Sequence, residues 1–157
     1  MEKEELLKKL NEETRLYSHR VSSRVKFAEV DSFGVTHNIQ YLYWLEWARV
    51  EYLQNLGVKL TSETFLTELP LMVVHTEIDY FAPCTFNDEY EVLSRTAVMK
   101  KSSIRFDNII RLKNGLLLTK ASAVLVHLNP KTKRSADIPD FFREKVLSFE
   151  KDNVKII

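Results

Sequence analysis

The feature of this sequence with the clearest chemical potential is a carboxylate placed just ahead of a predicted helix. Asp31 opens the turn signal Asp31-Ser32-Phe33-Gly34, and the helix begins near Asn38. An ionised carboxylate can attack a carbonyl carbon or take a proton from water. The free N–H groups and partial positive charge of a helix start can stabilise the resulting oxyanion. A carboxylate in this position is compatible with attack on a carbonyl or activation of water, but it is also compatible with Asp31 only capping its turn.

Several side chains near this turn are further candidates with alternative structural roles. His37 could polarise a carbonyl or hold a water, but a lone histidine is also commonly structural. The Asn38 side chain could cap the helix or contact a substrate. Glu46 and Arg49, three residues apart, are compatible with a local ion pair that is structural or lies at a subunit interface. Cys84 is the single cysteine, lacks a nucleophile signature, and is expected to be an inert, partly buried thiol.

The element that must position these groups is a helix predicted over 38–56, with Gly57 where a helix would end. Its apolar residues cover most of its circumference instead of one stripe, so it should be buried on nearly all sides. It carries too many polar positions to span a membrane. The rest of the chain is therefore expected to wrap it.

The remaining segments supply this wrapping. Residues 20–30 alternate as a strand does, and four later segments have strand composition: 71–81, 90–99, 103–112 and 116–128. Turn signals such as Asn114-Gly115 separate them, and short connections predict antiparallel neighbours. Short helices are predicted over 2–16 and from Ile138-Pro139 to about Phe149. This order predicts an α+β domain, a curved antiparallel five-stranded sheet wrapped round a long central helix.

The predicted domain covers residues 1–157, with 1–18 as an extra amino-terminal helix. Its 23 Lys and Arg balance 22 Asp and Glu, which lacks the basic surplus of nucleic-acid binders. The three glycines form no phosphate-binding loop. Neither a membrane span nor a signal peptide is expected, which predicts a cytoplasmic location. The histidines and carboxylates lack metal-ligand spacing, so neither a metal nor another cofactor is expected.

The residues around the turn resemble a known family. The similarity is carried by three neighbouring motifs: Arg24-Val25-Lys26-Phe27, Glu29-x-Asp31-x-x-Gly34-Val35-x-x-Asn38-x-x-Tyr41, and Leu42-x-x-Leu45-Glu46-x-Ala48-Arg49. They are similar to the signature of the 4-hydroxybenzoyl-CoA thioesterase family, a branch of the hot-dog superfamily, and further matches extend the resemblance over about residues 21–145. The chain departs from the family at Glu29, where Asp is common, and at Asn38, where His is common.

The resemblance implies a thioesterase that hydrolyses acyl-CoA to free acid and CoA. An acyl-carrier-protein thioesterase and a non-catalytic acyl-CoA-binding protein are the alternatives. The resemblance also implies that Asp31 is the nucleophile or general base and that the backbone N–H of Asn38 is an oxyanion donor. The residues expected to bind substrate are Gly34, Val35 and Tyr41. Family members form dimers with the active site at the interface, so a homodimer or homotetramer without nucleic-acid or membrane partners is expected.

Overall fold

A long helix lying against one sheet organises the computed structural model. The structure describes residues 2–157, so that only Met1 of the predicted domain lies outside it. The elements are α1 (Glu2–Glu13), β1 (His19–Arg24), α2 (Asn38–Asn55), β2 (Leu71–Tyr80), β3 (Glu89–Met99), β4 (Ser103–Leu112), β5 (Leu117–His127), α3 (Asp140–Glu150) and β6 (Lys155–Ile156). Short 3-10 turns lie at Thr14–Leu16, Phe27–Glu29 and Lys151–Asn153, and a π-helical turn lies at Thr64–Glu68. The predicted α+β class is confirmed.

The sheet has the strand order β1-β3-β4-β5-β2, with antiparallel pairing throughout this path. The prediction that short connections join neighbouring strands is wrong for β2 and β3, because β2 pairs with β5 at the opposite edge. The link between β2 and β3 instead bonds to the segment before α2, where the Thr36 N–H donates to the Cys84 carbonyl at 2.8 Å. A short sixth strand, β6, pairs parallel with β3 and was not predicted.

The predicted bounds of the elements hold closely, except for the first strand. β1 ends at Arg24 and is followed by a 3-10 turn, whereas the alternation had extended the strand to residue 30. The central helix ends at Asn55, and Gly57 follows with φ +79, a left-handed conformation suited to glycine. Gly57 therefore terminates the helix as expected.

The helix α2 is buried against the sheet along its length but is exposed on one side of its first turns. Trp44 stacks on Tyr90 of β3 with ring centroids 3.9 Å apart, and Tyr52 packs edge-on against Phe106 of β4. The predicted burial on nearly all sides is wrong for Tyr43, which is exposed, as are its neighbours Ile39 and Leu42. One sheet covers one side of a helix, so this apolar surface lies outside the cover that a single chain provides.

The first helix, α1, packs on the face of the sheet opposite to α2. Successive strand residues face opposite sides; accordingly Val92 belongs to the α2 cluster, whereas Leu93 packs with Leu10 of α1. An ion pair between Lys120 and Glu13, at 3.0 Å, fixes the end of the helix to β5. This helix therefore covers the outer apolar face and does not lie over α2.

The anchoring of α1 can be tested at its one buried position. Leu10 is 1% exposed, whereas Leu6 in the same helix is 45% exposed. We expect Leu10→Ala to lower the free energy of unfolding by about 2–5 kcal/mol, because it leaves a cavity against the sheet. Leu6→Ala should lower it far less. Urea denaturation of the two variants measures this, and equal losses would contradict the packing described.

Candidate active site

The turn that carries Asp31 is a short hairpin closed by backbone hydrogen bonds. Val30 pairs with Thr36 in an antiparallel bridge, and the Asp31 N–H donates to the Val35 carbonyl at 2.9 Å. At the base of the hairpin the His37 N–H donates to the Glu29 carbonyl at 2.9 Å. Since a strand rises about 3.3 Å per residue, the level of Asp31 lies roughly 7 Å from that of His37. The hairpin thus brings Asp31 close to the start of α2.

The Asp31 carboxylate both closes its turn and keeps one oxygen free. Oδ1 accepts a hydrogen bond from the Phe33 N–H at 2.8 Å, and the Gly34 N–H donates to the Asp31 carbonyl at 3.0 Å. Gly34 has φ +79, which only glycine adopts without strain. Oδ2 accepts no hydrogen bond from residues 2–157, and Asp31 is half-buried. The turn-capping role and a chemical role therefore fall to different oxygens of the same side chain.

The first N–H groups of α2 are not equivalent. His37 is the N-cap, and its ring Nδ1 accepts a hydrogen bond from the Ile39 N–H at 3.2 Å. The Gln40 N–H donates to the His37 carbonyl at 2.9 Å. Within the described part of the chain the Asn38 N–H has no acceptor. The Asn38 N–H is thus a backbone donor left unpaired at the helix start, as an oxyanion site requires.

These contacts reassign the two side chains that flank the helix start. Capping by the Asn38 side chain, one of its two predicted roles, is wrong because His37 supplies the cap from its extended backbone conformation. Since the His37 Nδ1 is an acceptor, the proton of the neutral ring resides on Nε2. His37 therefore orients the helix start and can offer an Nε2–H donor.

Tyr41 and Cys84 lie beneath the helix start. The Tyr41 hydroxyl and the Thr36 hydroxyl each lie 3.2 Å from the Cys84 Sγ, in a buried cluster. Tyr41 is buried in this core, and its contact with substrate stays a prediction. Val35 is half-buried, and its carbonyl accepts the hydrogen bond from the Asp31 N–H. The cluster fixes the first turn of α2 from below.

Two residues that sequence reasoning did not select hold this site in place. Glu29 accepts hydrogen bonds from the Trp44 Nε1 at 2.9 Å and from the Lys26 N–H at 2.8 Å. Tyr80, at the end of β2, donates its hydroxyl to the Asn38 carbonyl at 3.0 Å. Glu29 had attracted notice only as a departure from the family pattern. The Glu29–Trp44 and Tyr80–Asn38 contacts join residues distant in sequence, so no local spacing could have revealed these two.

A buried thiol lies beneath the site, and α2 carries an arginine without a salt bridge in residues 2–157. Burial raises the pKa of the Cys84 thiol, which its hydrogen bonds to Thr36 and Tyr41 only partly offset. The expectation of an inert thiol is thereby supported. Farther along α2, the predicted Glu46–Arg49 ion pair is absent from the salt bridges of residues 2–157. In the same range no three His, Cys, Asp or Glu side chains cluster as metal ligands, and no helix could cross a membrane.

Comparison with known proteins assigns the chain to a family. The model of the thioesterase-like superfamily matches residues 25–146, which include the hairpin, α2 and the strands β2–β5. The chain belongs to the thioesterase-like superfamily. A solved superfamily structure, a thioesterase from Thermus thermophilus complexed with coenzyme A and Zn, superposes with a TM-score of 0.72 at 29% identity, covering 85% of this chain and 95% of that one. The predicted hot-dog fold is confirmed.

Two curated proteins of this thioesterase superfamily illustrate the range of similar sequences. An acyl-CoA thioesterase, YbgC, from Haemophilus influenzae is 33% identical over 101 residues, which are 63% of this chain and 72% of that protein. A chloroplastic acyl-acyl carrier protein thioesterase, ATL3, from Arabidopsis thaliana is 27% identical over 132 residues, which are 83% of this chain and 68% of that protein. The resemblance drawn from the motifs is confirmed at the level of the superfamily.

The state of Cys84 can be tested by alkylation. Because burial holds the thiol protonated at neutral pH, iodoacetamide should modify Cys84 only as fast as the protein opens. Mass spectrometry in buffer and in denaturing urea would measure the two rates, and we expect labelling in buffer to be slower by about 100-fold or more. Labelling at the same rate in both would contradict the buried, unreactive thiol.

Proposed function

We propose that this chain hydrolyses acyl-CoA thioesters to free acid and CoA. The observation that carries the proposal is that Asp31 Oδ2 and the Asn38 N–H, at the same helix start, both lack a hydrogen-bond partner in residues 2–157. Hydrolysis of an acyl thioester needs an attacking oxygen and a donor for the oxyanion. Membership of the thioesterase-like superfamily, and the similarity to an acyl-CoA thioesterase, support this assignment.

In the proposed reaction Asp31 supplies the attacking or proton-accepting oxygen, and the Asn38 N–H stabilises the oxyanion. Asp31 Oδ2 either removes a proton from water, so that the hydroxide attacks the thioester carbonyl, or attacks that carbonyl itself. The Asn38 N–H, at the positive end of α2, donates to the oxygen that becomes negative. Collapse of this oxyanion breaks the carbon–sulfur bond and releases the CoA thiolate. In the second route water then hydrolyses the mixed anhydride formed on Asp31.

A carrier-protein substrate is a second candidate, favoured by the similarity to the Arabidopsis acyl-acyl carrier protein thioesterase. Turnover of the same acyl group on CoA and on a carrier protein would distinguish the two. The chemistry at Asp31 and Asn38 is the same in both cases. We also propose that the chain belongs to the 4-hydroxybenzoyl-CoA thioesterase branch of the superfamily and acts in the cytoplasm. In this proposal residues 1–157 form a single catalytic domain.

We also propose that the functional unit is a homodimer joined through β2, either alone or as half of a homotetramer. This strand has one hydrogen-bonded neighbour, β5, and its other edge is open. Exposed apolar side chains follow it along both faces: Met72, Val73, Val74 and Tyr80. Such an open, apolar edge is a template for pairing with another strand. A second chain at this edge would also cover the exposed first turns of α2.

The catalytic assignment of Asp31 is tested by paired substitutions. Asp31→Asn and Asp31→Ala should each lower kcat by about 100-fold or more, because neither leaves an attacking or proton-accepting oxygen. A thiol-release assay with short, long and aromatic acyl-CoAs measures the rate. Asp137→Asn, which neutralises an exposed aspartate in a surface ion pair, is the matched control and should retain full activity. Normal turnover by a folded Asp31→Ala variant would refute the assignment.

The proposed dimer is tested by placing a charge on the open edge. Val74 is 59% exposed on β2, and Leu66 is 64% exposed on the segment before it. Val74→Lys should convert a dimer to a monomer, because a lysine ammonium would be desolvated in the interface. Leu66→Lys should leave the dimer intact. Light scattering coupled to size-exclusion chromatography measures the mass of each variant. A monomeric parent protein would contradict the proposed dimer.

A further inference from the structure

A groove separates α2 from β2 and runs away from the proposed catalytic groups. Its helix side is the stripe Asn38, Leu42, Glu46 and Arg49, whose spacings of four, four and three residues place them on one face. On its strand side, Tyr80 contacts the Asn38 carbonyl at one end, and Val73 and Thr76 line a cavity of about 250 Å³ at the other. The groove therefore leads from the Asn38 N–H toward a cavity that is partly open to solvent.

Arg49, at this end of the groove, forms no salt bridge within residues 2–157. Arg49 lines the cavity, and its Nε is buried without a hydrogen-bond partner among residues 2–157. Its guanidinium carbon lies 5.9 Å from the centre of the Phe106 ring, an apolar surface. Burial lowers the pKa of the guanidinium, an effect that the charge of Glu46 partly opposes. The two terminal guanidinium nitrogens also donate no hydrogen bond within residues 2–157, so they are free to donate to a group bound in the cavity.

The same end of the groove also offers an acceptor. Asn108 is buried and lines the cavity, and its Nδ2 donates to the Ser94 hydroxyl at 2.7 Å. Its Oδ1 has no hydrogen-bond partner in the described chain. With the Arg49 donor, the Asn108 acceptor and the Thr76 hydroxyl together, the cavity suits a neutral group that both donates and accepts. The carboxylate of Glu46 also lines the cavity, and its negative charge disfavours a free carboxylate ligand.

The distance between the two ends of the groove follows from the rise per residue of α2 and of β2. From Asn38 to Glu46 is eight residues, or roughly 12 Å at about 1.5 Å per residue. From Tyr80 back to Thr76 along β2 is four residues, or roughly 13 Å. A single aromatic ring attached to the thioester carbonyl does not reach this far. An extended medium-length acyl chain does, and its distal carbon would lie beside Arg49 and Asn108.

We propose that the preferred acyl group is a medium-length chain with a hydroxyl at its distal end, held by Arg49, Asn108 and Thr76. The inference rests on the proposed thioester hydrolysis and specifies its substrate class. The apolar side chains of Leu42, Leu45 and Val73 contact the methylene groups between the two ends. A site built to hydrogen-bond a substrate hydroxyl discriminates strongly against the analogue that lacks it, because its own polar groups then remain unpaired.

The test compares ω-hydroxydecanoyl-CoA with decanoyl-CoA. In the parent protein kcat/KM should be higher for the hydroxylated thioester by about 10-fold or more. Arg49→Met keeps much of the side-chain volume but removes the donors, and should lower this ratio by about 10-fold. Thr76→Val, an isosteric change on the exposed edge strand, should lower the ratio by a smaller factor. Lys101→Met removes a cation from the exposed surface and should leave the ratio unchanged.

The outcomes separate this inference from the function on which it rests. Turnover of both thioesters at equal kcat/KM by the parent protein would overturn the distal hydroxyl site and leave thioester hydrolysis standing. A ratio unaffected by Arg49→Met would do the same. Failure to hydrolyse these or any other acyl-CoA would refute the proposed function itself. Loss of the dimer in Arg49→Met, measured by light scattering, would assign Arg49 to a second copy of the chain and overturn the substrate assignment.

Discussion

The unpaired N–H at the start of α2 is the feature on which the site depends. A helix leaves its first N–H groups without partners, and most proteins satisfy them with caps or water. Here the His37 ring accepts a hydrogen bond from the Ile39 N–H, and the Asn38 N–H remains without an acceptor in residues 2–157. The His37 N–H donates to the Glu29 carbonyl, so hydrogen bonds connect the cap to the hairpin that carries the Asp31 carboxylate. The position of the proposed oxyanion donor is therefore set by the hydrogen bonds of the chain that precedes it.

Packing beneath and beside the helix makes this arrangement rigid. Glu29 joins the hairpin to the indole of Trp44, and that indole stacks on Tyr90 of the sheet. Tyr80 holds the Asn38 carbonyl from β2, and Cys84 holds Tyr41 from the link that follows. Preorganised donors contribute to catalysis because they need not reorient as charge develops. The large aromatic content of α2 thus serves the geometry of the site as well as the core.

The helix, the strands and the position of Asp31 were accessible to sequence reasoning because each has a local cause. Strand alternation, the Asn114-Gly115 turn and the Gly57 stop depend on near neighbours, and they gave bounds close to those observed. The pairing of β2 with β5 was missed, since strand order depends on contacts between residues far apart in sequence. The sequence pointed to Asn38 as a possible cap, whereas the cap is His37, and the reason is related. Both are compatible with a helix start, and the Glu29 carbonyl fixes His37 in the extended conformation that a cap requires.

Exposure sets a further condition on the chemistry. Phe33, beside Asp31, is 88% exposed, and Asn38 and Tyr43 lie on the same open side of the molecule. Hydrogen bonds to a developing oxyanion are strong only where water is excluded. In a single chain the cavity near Arg49 is partly open, and the end of the groove beside Asn38 is open to solvent. The surface that lacks a cover is continuous with the open edge of β2, so the same contact that completes the sheet would also enclose the reacting carbonyl. Assembly and catalysis would then depend on one interface.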